Sequence, residues 1–499
     1  MSKFLKLVGY DSSKGSTVKT ELVAGVVTFL AMAYILTVNP NQIVGDGSPY
    51  WASVFIATAL GAVIGTLLMA FIAKMPLAQA SGMGLNSMLG GIIGGWGGYG
   101  AAFTPGQGFM LVLISGIAFL LLSLIKFKGK TFREMVFDGM PASIRNSISV
   151  GIGLFIAYIG FQNAGIIVTN GYTQVGFVDF TNWGNQVVNG LVDPWKASQT
   201  ALVAFIGLFL ITILDKLNVR GSIIIGIIGA TIAGVPLGVT NLSILAGEGS
   251  VSWKFWENFA DFFAGENSVF FSFTSVFTEG IAPEGVSTFT VVMILITMCM
   301  IDMFDTMGTI VGCCGGNRVL SDENNKPLNY GQIMLSDAIA TCTGAMLGTS
   351  TVTTFVESGA GVSAGGRTGL TALSAAAMFF LSMFALPVFA AIPSSAAASA
   401  LIYVGVLMMK NNVKTIDFSD TVNSTSAFLT IAVMVLSYSI TKGIGVGMIA
   451  YTLMSLMSYI IELVKYAVTK QSKPTFRVSV ISIIVSLLFC IYFFVPAVL

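Results

Sequence analysis

The sequence predicts an all-α polytopic membrane protein, and three observations lead to this prediction. Of the 499 residues, 55% are hydrophobic and only 9% are charged, against roughly 25% in an average soluble domain. Apolar stretches of the length that a membrane-spanning helix needs, about 20 residues, recur between Val23 and Leu499. The interruptions between these stretches are short, so no sizeable domain outside the membrane is expected.

Apolar windows predict twelve full-length helices. The first of them is interpreted as a retained helix, because it ends at Asn39-Pro40 without a small-residue cleavage site. The twelve cover residues 21–40, 52–73, 106–126, 147–168, 199–215, 219–240, 286–310, 331–348, 369–392, 396–410, 425–441 and 443–464.

Two shorter segments, Pro76 to Gly94 and Thr349 to Gly366, are rich in Gly, Ser and Thr and are too polar to face lipid. Counted as broken third and tenth spans, they bring the total to fourteen transmembrane segments. A further apolar stretch, 478–498, is either a fifteenth helix or a segment at the membrane interface.

The distribution of basic residues supports this count, because short cytoplasmic loops collect Lys and Arg. With a cytoplasmic N-terminus, the opposite loops hold only Lys196, Lys254 and Lys442. The predicted cytoplasmic turns hold Lys74, Lys126, Lys128, Lys130, Arg133, Lys216, Arg220, Arg318, Lys326, Arg367, Lys410, Lys414, Lys465 and Lys470. The sequence thus predicts a multi-pass protein of the plasma membrane.

The fourteen segments divide into two repeats of seven. Residues 1–240 hold spans 1–7, and residues 286–464 hold spans 8–14. Because seven is odd, the second repeat is inverted relative to the first. Residues 241–285 form an external loop, and residues 465–499 form a C-terminal tail with the extra apolar segment.

Both broken segments contain the pattern Ser-Gly-x-Gly-aliphatic, at Ser81–Leu85 and at Ser358–Val362. Paired, glycine-interrupted segments in two inverted halves indicate a transporter binding site. Irregular backbone at membrane depth is tolerated only where protein or a cavity covers it. The alternative is that these glycines only allow tight helix packing. We expect Gly82, Gly84, Ser358 and Gly359 to line a substrate site.

Three acidic residues in apolar surroundings strengthen the prediction of a site. Asp302 and Asp305 lie three residues apart on one face of a predicted helix, and Glu357 precedes the second glycine motif. Each ionisable group near a bilayer centre costs about 2.5–3.5 kcal/mol, so such groups usually have a function. For Asp302 the alternative is a structural bond to the facing broken segment. Asp337 is interpreted as a polar packing residue.

Charge and residue usage exclude other function classes. The 24 basic and 23 acidic residues nearly balance, so bulk charge does not indicate a nucleic-acid partner. The chain has no histidine, so proton chemistry must use carboxylates, thiols or amides. An enzyme would need a nucleophile or metal cluster at the bilayer surface, and the sequence offers neither. No catalytic residue, metal site or cofactor is therefore predicted.

Several motifs resemble the AzgA-like purine permeases of the nucleobase transporter superfamily. The most specific is the run from Gly348 to Leu370, GTSTVTTFVESGAGVSAGGRTGL. Further matches occur in the expected order at Glu21–Gly25, Ala33–Leu36 with Asn39-Pro40, Gly82–Asn86, Gly151–Phe155, Gln162–Gly165 and Phe304–Thr309. Ser81 stands where that family commonly has proline.

The resemblance implies proton-coupled uptake of adenine, guanine and hypoxanthine. It also implies a core domain from spans 1–4 and 8–11 and a gate domain from spans 5–7 and 12–14. Asp305 and Glu357 match the acids that face and bind the base, Phe355 an aromatic position against its ring, and Asn86 an asparagine linked to binding. Asp305, Glu357 and Asp302 are the candidates for proton coupling.

The residue chemistry agrees with a purine ligand. Carboxylates accept from ring N–H groups, the Asn86 amide donates and accepts, and Phe355 can stack on a flat ring. Acids at the site would repel an anion, which disfavours an anion transporter on the same architecture. Another nucleobase such as uracil or xanthine, a channel, and a homodimeric assembly all stay open.

Overall fold

The computed structural model of the chain is helical over most of its length. The structure describes residues 3–11, 15–95, 101–127, 130–131, 139–171, 173–181, 187–188, 191–192, 197–219, 221–246, 252–314, 319–321, 327–470, 476 and 478–494. Six of the basic residues used for the topology prediction, Lys128, Arg133, Lys196, Arg220, Arg318 and Lys326, lie outside these ranges.

The N-terminal half contains nine described helices and a first short strand. The helices are α1 (Lys3–Leu7), α2 (Val18–Met32), α3 (Ile35–Ile43), α4 (Trp51–Leu68), α5 (Met83–Ile93), α6 (Pro105–Leu124), α7 (Ala142–Asn163), α8 (Ala197–Lys216) and α9 (Ser222–Gly234). A π-helical turn, Met69–Ala73, extends α4, and strand β1 (Gln79–Ser81) precedes α5.

The C-terminal half repeats the order of helix, strand, short helix and helix. Its described helices are α10 (Phe255–Ala264), α11 (Val276–Glu279), α12 (Thr288–Cys314), α13 (Tyr330–Leu347), α14 (Ser358–Ser363), α15 (Gly369–Ser382), α16 (Leu386–Ala390), α17 (Ser394–Asn412), α18 (Thr421–Leu436), α19 (Ile440–Thr469) and α20 (Val480–Phe494).

The remaining strands form small hairpins, apart from one that pairs with β1. The strands are β2 (Lys126–Phe127), β3 (Lys130–Thr131), β4 (Ile167–Asn170), β5 (Gln174–Phe177), β6 (Val187–Val188), β7 (Leu191–Val192) and β8 (Val352–Thr354). The hairpins are β2–β3, β4–β5 and β6–β7, and β8 pairs with β1.

Among the described residues, seven helical stretches are long and apolar enough to cross a membrane, and six shorter helices are also apolar. This confirms a mostly helical membrane protein, while the number of fourteen crossings stays a prediction. The apolar segment predicted at 478–498 contains α20. This helix packs on α19, with Ser486 Oγ donating to the Met448 carbonyl at 3.0 Å. Residues 495–499 lie outside the described ranges.

The first predicted span divides into α2 and α3. Proline lacks a backbone N–H and its ring clashes with the preceding turn, so a helix that contains Pro40 is expected to kink upstream of it. The division leaves Tyr34 at the junction of the two helices, with its side chain buried.

The two broken segments meet in the interior and pair as antiparallel strands. Gln79 lies opposite Thr354, Ala80 opposite Thr353 and Ser81 opposite Val352. Since β1 ends opposite the start of β8, helices α5 and α14 follow their strands from opposite ends of the pair.

Asp337 of α13 fixes this strand pair to the helices around it. Its buried carboxylate accepts from Thr306 Oγ1 of α12 at 2.8 Å. It also accepts from Gln79 Nε2 and from the Thr354 backbone N–H, both at 3.2 Å. One side chain thus joins both strands to α12, in agreement with the packing role that the sequence predicts.

The helices pack in two groups. In the first, α2 packs against α14 and α15, α4 against α13 and α15, and α6 against α12 and α13. In the second, α7 packs against α17 and α18, α8 against α9 and α17, and α19 against α18 and α20. Contacts of α12 with α7 and α19, and of α5 with α7, join the two groups.

We expect Asp337→Ala to destabilise the protein strongly. The substitution leaves the Thr354 N–H, the Gln79 amide and the Thr306 hydroxyl without this acceptor. Each buried unsatisfied group costs about 1–3 kcal/mol. Thermal unfolding of the purified protein in detergent measures the effect. Asp417→Ala, which changes an exposed loop carboxylate, is the control and should stay close to wild type. Equal melting temperatures for both variants would contradict the role of Asp337.

Candidate functional site

The strand pair brings the first residues of two short helices into the protein interior. Gly82 is the N-cap of α5 and has an extended backbone, and Glu357 is the N-cap of α14. The two Ser-Gly-x-Gly motifs are not equivalent, since Ser81 is the last residue of β1 whereas Ser358 is the first of α14. By its position at the start of a helix, Gly82 therefore corresponds to Glu357.

Gly82 leaves a gap between two polar side chains. A Cβ atom at this position would lie 3.6 Å from Asp305 Oδ2 and 3.6 Å from Thr351 Oγ1. The first backbone N–H groups of α5 have no acceptor within their own helix, and Gly82 supplies no side-chain cap. The gap therefore combines a carboxylate, a hydroxyl and a helix N-terminus that favours acceptor atoms.

Glu357 is buried and only one of its carboxylate oxygens is used. Tyr34 donates its hydroxyl to Glu357 Oε1 at 2.5 Å. Glu357 Oε2 is buried and makes no hydrogen bond within the described part of the chain. Asp305, which is half-buried on α12, lies close enough to interact electrostatically with both Glu357 and Tyr34. The second carboxylate oxygen is thus available to a ligand.

Asn86 lies one turn into α5 and is held by the protein. Its Nδ2 donates to the Ser81 carbonyl at 3.3 Å, and its Oδ1 accepts from the Ser350 hydroxyl. A primary amide has two N–H groups, so one of them stays available to a ligand. The Asn86 backbone N–H donates to the Gly82 carbonyl at 2.9 Å, so Asn86 lies one helical turn from Gly82.

The other predicted site residues have packing contacts. A Cβ at Gly84 would lie 2.6 Å from Ile440 Cδ1, so this glycine admits the first turn of α19. The Ala78 N–H donates to Ser358 Oγ at 3.0 Å, and the Phe355 N–H donates to the Ala78 carbonyl at 3.1 Å. Gly359 lies nearest to Cys313 Sγ. The side chain of Phe355 is buried.

Asp302 is buried and bonded to a neighbouring helix. Its Oδ2 accepts from Thr341 Oγ1 of α13 at 3.3 Å, and the same hydroxyl lies 3.3 Å from the Val352 carbonyl. This arrangement favours the structural alternative that the sequence left open for Asp302.

Sequence reasoning did not identify two residues of the site, Tyr34 and Thr351. It also did not identify the role of Asn39, whose Nδ2 donates to Thr58 Oγ1 at 2.6 Å and to Thr349 Oγ1 at 2.8 Å. Thr349 Oγ1 in turn lies 2.6 Å from Ser81 Oγ. For Tyr34 and Asn39, the sequence signal was the presence of polar residues near Pro40 in an otherwise apolar helix.

A cavity of about 540 Å³ reaches α5 from one side. It borders the helix at Ser87, the residue after Asn86, and Tyr438 also lines it. Every residue that lines it is uncharged, and the polar ones include Gln42, Tyr50 and Asn163. Such a lining suits a neutral polar molecule better than an ion.

The comparisons with a family model and with known proteins agree on one family. Residues 19–446 match a family model described as the permease family. The chain is 33% identical over 444 residues to the adenine permease AdeP of Escherichia coli, covering 89% of this chain and 88% of that protein. It is 33% identical over 447 residues to the guanine/hypoxanthine permease PbuO of Bacillus subtilis, covering 87% of this chain and 91% of that protein.

A solved structure shares the fold. The transmembrane domain of the cyanobacterium bicarbonate transporter BicA superposes with a TM-score of 0.55 and covers 88% of this chain and 98% of that chain. Sequence identity is 14%, so the likeness concerns the fold alone.

Proposed function

The chain belongs to the permease family, and we propose that it is a secondary active transporter that imports purine nucleobases by symport with protons. Its substrates would be adenine, guanine and hypoxanthine, in line with the names of the relatives AdeP and PbuO. The observation that carries the proposal is a pair of acids at the two short helices: Asp305 of α12 lies beside Gly82, the N-cap of α5, and Glu357 is the N-cap of α14.

A neutral purine complements the groups around Gly82. Its ring N–H groups would donate to Glu357 Oε2 and to Asp305, the two acidic acceptors of the site. Its ring nitrogens and carbonyl oxygens would accept from the first N–H groups of α5 and from Asn86. Phe355 would supply an apolar surface for the flat ring.

The acids make an anionic substrate unfavourable even though the fold is shared with a bicarbonate transporter. Arg367, the basic residue that follows α14, is already engaged. Its Nη1 donates to the Val362 carbonyl at 2.5 Å and to the Gly366 carbonyl at 2.7 Å. A carboxylate pair without a free guanidinium beside it would repel an anion.

We also propose the domain arrangement expected from the sequence. The first group of packed helices, together with β1 and β8, would form the core domain that carries the substrate. The second group would form the gate domain. The seven-element repeats, fourteen crossings and cytoplasmic N-terminus belong to the same proposal. In this arrangement the cavity beside Ser87 would open toward the outside and would be the route of entry.

Proton coupling would rest on Asp305 and Glu357, because the chain has no histidine. Two carboxyl groups that share one ligand and are shielded from water titrate as a coupled set. Tyr34 donates to Glu357 Oε1. Arrival of a base would replace or join this donor and thereby favour one protonation state of the pair. Release of the base into the cytoplasm would then release the proton.

Competition for uptake tests the substrate class. Unlabelled hypoxanthine and guanine should reduce uptake of labelled adenine into proteoliposomes, whereas uracil should have little effect. Pyrimidines lack the second ring, whose nitrogens would supply part of the hydrogen bonds proposed for the purine. Equal competition by uracil would contradict the purine proposal while leaving the fold unaffected.

Substitution of Glu357 tests its role as a ligand. Glu357→Gln keeps the shape but removes the charged acceptor, whose hydrogen bond contributes about 1.5–3 kcal/mol. We expect the affinity for adenine to fall roughly tenfold or more. Glu21→Gln is the matched control, since Glu21 is also fully buried but accepts from Arg367 and Thr368 backbone N–H groups. Its affinity should stay at the wild-type value, and an unchanged affinity in Glu357→Gln would exclude direct binding.

An imposed pH gradient tests the coupling. At zero membrane potential, wild-type proteoliposomes should accumulate adenine when the outside is acidic, and an uncoupler should abolish this. Asp305→Asn should allow equilibration at most, because it removes one proton-carrying group. Accumulation that requires sodium and ignores the pH gradient would refute proton symport.

A further inference from the structure

The run from Thr349 to Thr354 contains five hydroxyl side chains, all buried, and four of them have hydrogen-bond partners. Thr349 bonds to Asn39 and Ser81, and Ser350 donates to Asn86. Thr353 Oγ1 donates to the Thr354 carbonyl at 3.5 Å, and Thr354 Oγ1 accepts from Gln79 Nε2 at 3.4 Å. Within the described part of the chain, the Thr351 hydroxyl has no partner.

The position of Thr351 is fixed by its backbone. Its carbonyl accepts from the Gly82 N–H at 2.8 Å, which ties it to the N-cap of α5. Its Oγ1 lies beside Gly82, 3.6 Å from a Cβ built there, which is the same distance as for Asp305 Oδ2. A buried hydroxyl without a partner costs free energy unless a ligand bonds to it.

Thr353 provides an internal comparison. It lies two residues further along the same chain and also faces Gly82, but it presents its methyl group, with Cγ2 2.9 Å from the built Cβ. The two threonines thus lie beside the same glycine, one with its hydroxyl and the other with its methyl group nearest to it. Only at Thr351 is the polar atom directed at the gap.

We infer that Thr351 is a further substrate-binding residue, whose hydroxyl forms a hydrogen bond to the base beside Asp305. This inference rests on the proposed function. A hydroxyl both donates and accepts, so it suits an amino group, a carbonyl oxygen or a ring nitrogen. Asp305 would then accept a hydrogen bond from a ring N–H group of the same base.

Three variants test the inference: Thr351→Val, Thr351→Ser and Thr353→Val. Adenine binding is measured with labelled base on the purified full chain, and thermal unfolding is measured without ligand. A neutral hydrogen bond is lost in Thr351→Val, so its affinity should fall roughly 2- to 10-fold. Thr351→Ser keeps the hydroxyl and Thr353→Val keeps the methyl at Gly82, so both should stay near wild type.

The melting temperature separates a binding role from a structural one. Because the Thr351 hydroxyl has no protein partner among the described residues, Thr351→Val should unfold at the wild-type temperature or above it. A lower melting temperature, an equal loss of affinity in Thr351→Ser, or wild-type affinity in Thr351→Val would each overturn the inference. If the wild-type protein bound no purine, the proposed function itself would be wrong. The wild-type measurement shows this independently of the variants.

Discussion

Backbone hydrogen bonding in a medium without water is the constraint on which the structure depends. A broken span exposes N–H and C=O groups that a continuous helix would satisfy, and the hydrocarbon offers no replacement. Here each broken segment satisfies the other through three antiparallel residue pairs. Side chains supply hydrogen-bond partners for the backbone groups at the outer edges of this strand pair. Thr66 bonds to both the N–H and the carbonyl of Gln79, and Ser358 bonds to Ala78.

This arrangement separates the structural polar groups from those that can bind a ligand. Asp337 and Glu21 are buried acids whose oxygens accept from nearby donors of the protein, and buried Asp302 accepts through Oδ2 from Thr341. Asp305 lies beside Gly82 at the start of α5, Glu357 is the N-cap of α14, and Glu357 keeps one oxygen without a partner among the described residues. A shared fold with a bicarbonate transporter is compatible with a different substrate, because the chemistry depends on a few side chains around Gly82.

Sequence reasoning predicted most helices because long apolar segments in a membrane protein have few alternatives. It also located both broken segments, since Gly, Ser and Thr are rare between apolar runs. It could not predict that the segments pair with each other, because Ser81 and Val352 are far apart in the chain and their pairing uses backbone atoms that carry no sequence signal. For the same reason the motif suggested the wrong correspondence, Ser81 with Ser358 instead of Gly82 with Glu357.

The charged residues of the candidate site can be recognised in the sequence. Residues whose contribution depends on the orientation of a side chain cannot. Asp305 and Glu357 stand out in apolar surroundings, whereas Tyr34 and Thr351 resemble ordinary packing residues. Their importance depends on where a single hydroxyl points, which differs even between Thr351 and Thr353. Gly84 shows the converse case, in which a conspicuous glycine accommodates a neighbouring helix.

The strand pair also has a consequence for biosynthesis. Strand β1 leaves the ribosome about 270 residues before its partner β8. At roughly 5–20 residues per second, the interval is on the order of 15 to 55 seconds. During this time the first half cannot rest in lipid with its broken span unpaired. The first half therefore reaches its paired structure only after the second half has been made, so the two halves depend on each other for their final backbone hydrogen bonds.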